Sequence, residues 1–277
     1  MVMPTMLNDQ QLSDYSENGF VVVDHLFDAE EADLLQKVAL ADQALAEQAT
    51  AATQMDPSQK HAARMLTQGD SAGRKTQFWV DDNVGDDLYS AIARCRRVVE
   101  PMAQILGDEV YHWHHKMMLK HARSGGAFLW HQDFGYWHAT GHCLFPHMGS
   151  CMIAVNRTTR ENGCLQVLAG SHHIGLMHHT RVDGQATADP DRVQAAEAKL
   201  PLVHLELEPG AGVFFHCNLL HRSDQNRSEN PRWTLICCYN TAGNDPYKDS
   251  HHPRYTPLKI LDDPCVKDIG RAQLGQR

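Results

Sequence analysis

From residue 110 to residue 239 the apolar side chains come in short runs, over 110–121, 128–133, 150–155, 163–167, 203–206, 212–217 and 233–239, cut apart by Gly, Asn and Pro. Runs of this length, rich in β-branched and aromatic residues, read as strands. Gly170-Ser171 and Glu208-Pro-Gly210 read as turns between them. A chain with so many strands in succession must bury one face of each against another sheet, which leaves a sandwich or a barrel. The texture upstream is different. Residues 8–18 read as a polar helix and 20–23 as a short β-branched strand. A second helix opens at Asp28, which caps it and is followed by acids that suit the helix dipole. It fades into an Ala/Gln/Glu-rich stretch, 41–60, that reads as a long helix or a lid. Residues 87–106 form a third helical stretch. The expected fold is therefore mainly β with flanking α: a double-stranded β-helix, or jelly-roll, barrel over about 110–242. N-terminal helices over about 8–106 buttress it, and a C-terminal tail, 243–277, follows. All of this is read as a single domain spanning 1–277. Residues 172–200 are polar and read as a long loop, a second candidate lid.

The 277 residues, 42% hydrophobic and 21% charged, are enough for one sizeable core. A formal charge of −9 argues against a nucleic-acid partner, which needs a basic footprint. No apolar stretch approaches the roughly 20 residues that span a bilayer, so no membrane partner is expected. The amino terminus lacks the charged and apolar regions of a signal peptide. Eight Cys occur without a Cys-x-x-Cys pair, and several lie in apolar runs such as Leu235-Ile-Cys-Cys-Tyr239. Reduced, buried thiols and a cytoplasmic location are expected.

His131 and Asp133 stand two apart in Leu129-Trp-His-Gln-Asp-Phe-Gly-Tyr136. In a strand, residues i and i+2 share a side, so both can reach one ion. A lone His221 lies far downstream, between an apolar run and the polar turn Arg222-Ser-Asp-Gln-Asn226, the setting of a barrel mouth. Two imidazoles and a carboxylate hold one face of a ferrous ion and leave three positions open. His-x-Asp alone is a weak signal in a chain with 19 His; the ordered surroundings carry it. Arg232 begins the next strand, and its planar fork suits the carboxylate of a dicarboxylate cosubstrate. Ser223 offers a hydroxyl to the same carboxylate. Along the run that starts at Tyr111, alternation sends His112, His114, Lys116, Met118 and Lys120 to one face. If that face lines a cavity, Lys116 or Lys120 places an ammonium there that needs an anion; at the rim either lysine would snorkel. His112, His114 and His115 read as core or rim, and His216 as core or a support behind the ligands. His172, His173, His178 and His179 read as solvent-facing rather than as a second metal site.

Taken in order, Trp130-His-Gln-Asp-Phe-Gly-Tyr-Trp137, Glu161-Asn-Gly-Cys-Leu-Gln-Val-Leu-Ala-Gly-Ser-His172, His221-Arg-Ser-Asp-Gln-Asn226 and Pro231-Arg-Trp233 resemble the phytanoyl-CoA dioxygenase family of non-haem iron, 2-oxoglutarate-dependent oxygenases. The resemblance covers roughly residues 15 to 240. It implies a cupin-like barrel, Fe(II) at His131, Asp133 and His221, 2-oxoglutarate as cosubstrate and O2 as oxidant. It assigns Arg232 to the distal carboxylate of 2-oxoglutarate, Ser223 to its support, and Trp130 to a place beside the cosubstrate. The Glu161–His172 stretch is implied to be chiefly structural. Related halogenases replace the carboxylate ligand with a small residue, so Asp133 implies hydroxylation.

Gln132, Tyr136, Trp137 and His138 beside the triad, with Asn156 and Arg157 after the 150–155 run, are the candidate substrate-side residues. Lys, Arg, His and Asn around the motif favour a small polar molecule, anionic or zwitterionic, with an organophosphonate like 2-aminoethylphosphonate as the sharpest expectation. Another natural-product or lipid-type substrate, hydroxylated or desaturated, is the alternative. The ectoine-hydroxylase signature is not evident in the chain. A non-catalytic metal-binding sensor would be expected to lack Arg232 or one of the ligands, and all four are present.

Overall fold

Residues 6–51, 64–182 and 184–276 are described by the computed structural model. Asn8 opens helix α1 (Asp9–Asn18) with a capping box, its side chain taking the Gln11 N–H while the Gln11 side chain takes its own. Strand β1 (Phe20–Val23) follows, and then α2 (Ala29–Ala51), which Asp28 and Glu31 cap in the same reciprocal way. Of the stretch 41–60, residues through Ala51 are helical; 52–60 lie outside the described residues. Next come β2 (Arg64–Gly69) and β3 (Lys75–Asp81), then α3 (Leu88–Arg94) and α4 (Arg96–Leu106). The strands β4 (Val110–Lys120) and β5 (Phe128–His131) lead into α5 (Asp133–Ala139), followed by β6 (Met148–Ala154) and β7 (Leu165–Leu168). After β8 (His179–Val182), β9 (Gln185–Ala188) and α6 (Pro190–Glu197), the chain runs through β10 (Leu202–Leu205), β11 (Gly212–His216), β12 (His221–Ser223) and β13 (Arg232–Thr241) to α7 (Cys265–Gly275).

The strands form a seven-stranded sheet, β1-β11-β6-β13-β4-β3-β2, and a four-stranded sheet, β10-β7-β12-β5, with β8 and β9 as a separate hairpin. Alternation along β13 sends Trp233, Leu235, Cys237 and Tyr239 into the core that α2, α3 and α4 cover. It sends Ile236 and Cys238 to the opposite side, into an inner core shared with Met118, Met152, Phe215, Leu165 and Val167 of both sheets. The fold is thus mainly β with flanking α, two sheets facing each other across that inner core in the jelly-roll manner. All eight Cys are free, and seven are buried. No helix among the described residues is long and apolar enough to cross a membrane.

Several local features differ from expectation. Besides the expected strand at 20–23, the region 8–106 holds the β2–β3 hairpin, which extends the large sheet through the β3–β4 pairing. The single helix expected over 87–106 breaks at Cys95, whose extended backbone (φ −70°, ψ 146°) bridges Leu261. Residues 172–200 hold a short 3-10 turn, the β8–β9 hairpin and α6 in place of a loop, and the tail carries α7. Strand β12 was not anticipated, since three residues carry too little pattern to read. His112 does not share a face with His114 and Lys116. A bulge between Cys238 and Tyr239 makes Trp113 the extra residue of β4, and His112 instead meets His115 at 3.0 Å.

The helices are tied down by one charged joint. The Arg97 guanidinium of α4 grips both oxygens of Glu31 on α2, at 2.9 and 3.0 Å, with Asp263 beside it at 3.2 Å. Glu31→Ala leaves Arg97 with the Leu26 carbonyl and a single carboxylate, Asp263, and also removes the α2 cap. The expected cost is about 2–3 kcal/mol in urea unfolding; a loss below about 0.5 kcal/mol would show that the joint carries little of the helix docking.

Candidate active site

His131 and His221 are direct cross-strand partners, because β12 runs antiparallel to β5 with His221 opposite His131. Their ring centroids lie 4.1 Å apart. Each ring is locked by its own strand: His131 Nδ1 meets the Leu129 carbonyl at 2.7 Å, and His221 Nδ1 meets the Leu219 carbonyl at 2.9 Å. A carbonyl only accepts, so both Nδ1 atoms carry the hydrogen and both Nε2 lone pairs are available to a metal. Asp133 follows through the extended Gln132 (φ −118°, ψ 132°) and is the first residue of α5, so the i, i+2 relation holds although the strand has ended. Its Oδ1 stands 3.8 Å from His221 Nε2, and its Oδ2 accepts from Ser150 Oγ at 3.2 Å. One donor atom from each of the three residues lies within 4.8 Å of the others. Burial pulls the His131 pKa down to about 3, helped by His221, so the ring is a neutral ligand. Burial would raise the Asp133 carboxyl, but His221, Lys116, His131 and the Ser150 hydroxyl outweigh it and hold the group ionised.

The three residues stand where two cavities meet. The inner one, about 50 Å³, is walled by Met118, Met152, Leu165, Phe215 and Ile236 and has Ser223 and Arg232 in its lining. Arg232, 3% exposed, gives one N–H to the Gly163 carbonyl, while its Nε has no hydrogen-bond partner, and it forms no salt bridge among the described residues. Burial pulls its pKa down to about 10, with Cys164 opposing only in part. An interior guanidinium without a carboxylate is costly, and a dicarboxylate entering this pocket would supply the missing charge. Gly163 earns its place in the Glu161-Asn-Gly turn by conformation (φ +76°) and by space, since a Cβ there would come within 2.3 Å of the Asp224 carbonyl oxygen. The triad is a fitting donor set for Fe(II), and the orphaned Arg232 Nε fits 2-oxoglutarate. His131, Asp133 and His221 would hold the iron, and Arg232 with Ser223 the distal carboxylate.

The outer cavity is a cleft of about 360 Å³ that shares Lys116, Phe128, His131 and Asp133 with the inner one. Tyr136 and Trp137 line it, as do Phe78, Asp82, His114 and His252. Other candidate residues sit differently. Gln132 borders the cleft, but it is 1% exposed and its amide is spent on backbone: it donates to the Gly175 and Asn218 carbonyls and accepts from Met177 N–H. It joins loops rather than offering a polar group. Trp130 points away from both cavities, because neighbours on a strand face opposite sides. It packs with Leu168, Met177 and Leu220, and its indole N–H meets Glu197 at 2.9 Å. Lys120 is fully buried, and its ammonium donates to the Ser223 and Asp224 carbonyls. Those carbonyls, not an anion, satisfy it, while burial and Arg232 push its pKa well down. Lys116 alone of the two lysines lines the cavities. Asn156 clamps the chain on either side of Arg232, donating to the Pro231 carbonyl and accepting from Trp233 N–H. Arg157 is an exposed partner of Glu208, and His138 is exposed on the far side of α5. His216 accepts the Asn218 N–H. Of the loop histidines, His172 and His173 stack on each other, and His179 accepts from Gln132 N–H.

Phe78 and Asp82 went unread because the hairpin that carries them did. Its signal was present: Lys75-Thr-Gln-Phe-Trp-Val-Asp81 is rich in aromatic and β-branched residues and follows a Gly-rich turn. His252 and Ser150 had no local signal, since only the fold brings them to the site.

A family model described as phytanoyl-CoA dioxygenase matches residues 15–234. The chain is 30% identical to L-proline trans-4-hydroxylase of Streptomyces griseoviridis over 72% of its own length and 77% of that protein's. It is 28% identical to ectoine dioxygenase of Bordetella bronchiseptica over 90% of its length and 80% of that protein's. Its fold is shared with the crystal structure of EctD from S. alaskensis with 2-oxoglutarate and 5-hydroxyectoine, at 22% identity, TM-score 0.75, and coverage of 96% of this chain and 91% of the other. Motif order, fold and family match agree: the chain belongs to the phytanoyl-CoA dioxygenase family and is an Fe(II)/2-oxoglutarate-dependent dioxygenase.

Proposed function

We propose that the chain hydroxylates a small zwitterionic molecule that enters the outer cleft, while 2-oxoglutarate occupies the inner pocket. The carrying observation is the wall between the two cavities: His131 and Asp133 face both, and Lys116 stands beside them. Arg232 and Ser223 would anchor the distal carboxylate of 2-oxoglutarate, fixing its other end against the ligands. Bound iron with 2-oxoglutarate and O2 converts R–H into R–OH and releases succinate and CO2. The chain's own part is to orient both molecules and exclude water. The apolar walls of the inner pocket do the latter, and Ser150 holds Asp133 in its ligating rotamer.

In the cleft, Lys116 suits a substrate carboxylate, and the Tyr136 and Trp137 rings suit an apolar ring or a cationic nitrogen. The organophosphonate expectation is given up. Lys116 is the one Lys or Arg among the described residues that line the cleft, and a phosphonate dianion calls for several such donors. Relatives named for proline and ectoine both act on ring-bearing carboxylate zwitterions, which match one ammonium beside aromatic walls.

A succinate-release screen with Fe(II) should respond to proline-like and ectoine-like cyclic amino acids, with a product heavier by one oxygen. Turnover only with acyl-CoAs or phosphonates would overturn the substrate reading, and loss of two hydrogens would overturn hydroxylation. His131→Ala and Asp133→Ala should each lower substrate-dependent succinate formation at least about 1,000-fold with the circular dichroism unchanged. Undiminished turnover would refute the triad.

Arg232→Met tests the inner pocket separately. Removing a buried, unpaired charge should leave the ligand-free protein as stable as before or more so, by about 0–2 kcal/mol. The 2-oxoglutarate requirement should rise on the order of 100-fold. A clear fall in the ligand-free melting temperature with an unchanged requirement would make Arg232 structural.

A further inference from the structure

Apart from the triad, one group of side chains among the described residues converges as metal ligands do: Asp82, His114 and His252, whose donor atoms lie within 4.8 Å of one another. We propose that these three residues form a second metal site, for a divalent first-row ion with Zn(II) as the best match, which pins the C-terminal segment against the wall of the outer cleft.

Three separate elements build it. Asp82 follows β3, His114 lies on β4, and His252 comes from the irregular stretch between β13 and α7. The β3–β4 register, with Asp81 opposite His115, sets Asp82 beside His114. The bulge at Trp113 matters here too, because it puts His114 on the cleft side with Lys116 while His112 turns away. His252 Nδ1 stands 3.9 Å from Asp82 Oδ1, and the triad's His221 Nε2 stands 3.8 Å from Asp133 Oδ1. Both separations exceed a hydrogen bond, which ends near about 3.2 Å. Both suit two ligands that each reach about 2.0–2.2 Å to a shared ion.

A second observation points the same way. His114 is 7% exposed, and its Nδ1 has no hydrogen-bond partner. A buried, unsatisfied imidazole nitrogen costs free energy unless something meets it. His252, also 7% exposed, is held flat on Trp113 at 4.3 Å, with the His114 ring 5.6 Å away at 26°. Two imidazoles and one carboxylate are a donor set that binds zinc with a fourth position open, and all three residues line the cleft, so that position faces the substrate compartment. Its occupancy would set the shape of the cleft through the His251-His252 segment, which also meets Tyr136. The site stands independently of which substrate the enzyme takes.

Equilibrium dialysis of the full chain against Zn(II), followed by elemental analysis, tests it. Wild type should hold two equivalents, and Asp82→Asn or His252→Gln about one, with affinity at the lost site down more than 10-fold. His131→Ala should also hold about one, and His131→Ala combined with His252→Gln none. Zn(II) should protect the segment 245–261 from protease in His131→Ala but not in the combined variant. A single equivalent in wild type, or two equivalents retained by both Asp82→Asn and His252→Gln, would overturn the proposal and leave an Asp–His contact only. Circular dichroism of each variant separates loss of ligand from loss of fold.

Discussion

The charge of Arg232 is buried where no carboxylate of the described chain meets it. Isolated interior ions cost several kcal/mol even after the protein relaxes around them. The architecture nevertheless forces the residue there. Arg232 is paired with Lys120 of β4, and from Thr234 onward β13 is also paired with β6, so the strand that carries it is held in the sheet. The Gly163 carbonyl and the Asn156 clamp around Pro231 and Trp233 hold it further. That cost is what supports the proposed pairing of Arg232 with a ligand carboxylate.

Not every buried cation in the site has that role. Lys120 sits opposite Arg232 in the β4–β13 register, yet its ammonium is spent on the Ser223 and Asp224 carbonyls. That contact steadies β12, the strand that presents His221 and Ser223. Positive charge along one sheet is thus placed in three ways: Lys120 supports a strand, Arg232 would meet the dicarboxylate proposed for the inner pocket, and Lys116 lines both cavities. His131 and Asp133 line both compartments, and His221 lines the inner one. The geometry of the triad comes from a cross-strand pair plus one extended residue, and each imidazole is fixed by a carbonyl two residues back.

What could be read from the sequence followed the range of the physics involved. Alternation within a strand is local, so His131 with Asp133, and the inward face of Lys116 and Met118, were legible. The same rule, applied one residue back, places Trp130 outside, and there the resemblance misled. The bulge at Trp113 was not legible because it depends on the partner strand at Cys238 and Tyr239. Gln132 shows a different gap: its neighbours in sequence suggested a substrate contact, while its amide is fully committed to backbone from Gly175, Met177 and Asn218. Asp82 and His252 enter the cleft from a hairpin that was not read and a tail without periodicity. Long-range convergence of that kind leaves no trace in a window of ten residues.

The most direct test of the account is a crystal structure of the enzyme with Mn(II) and 2-oxoglutarate under anaerobic conditions. The account predicts an anomalous scattering peak bonded to His131 Nε2, His221 Nε2 and an Asp133 carboxylate oxygen. It also predicts the distal carboxylate of 2-oxoglutarate within hydrogen-bond distance of the Arg232 guanidinium and the Ser223 hydroxyl. Metal bound away from these three residues, or 2-oxoglutarate seated in the outer cleft with Arg232 untouched, would contradict it.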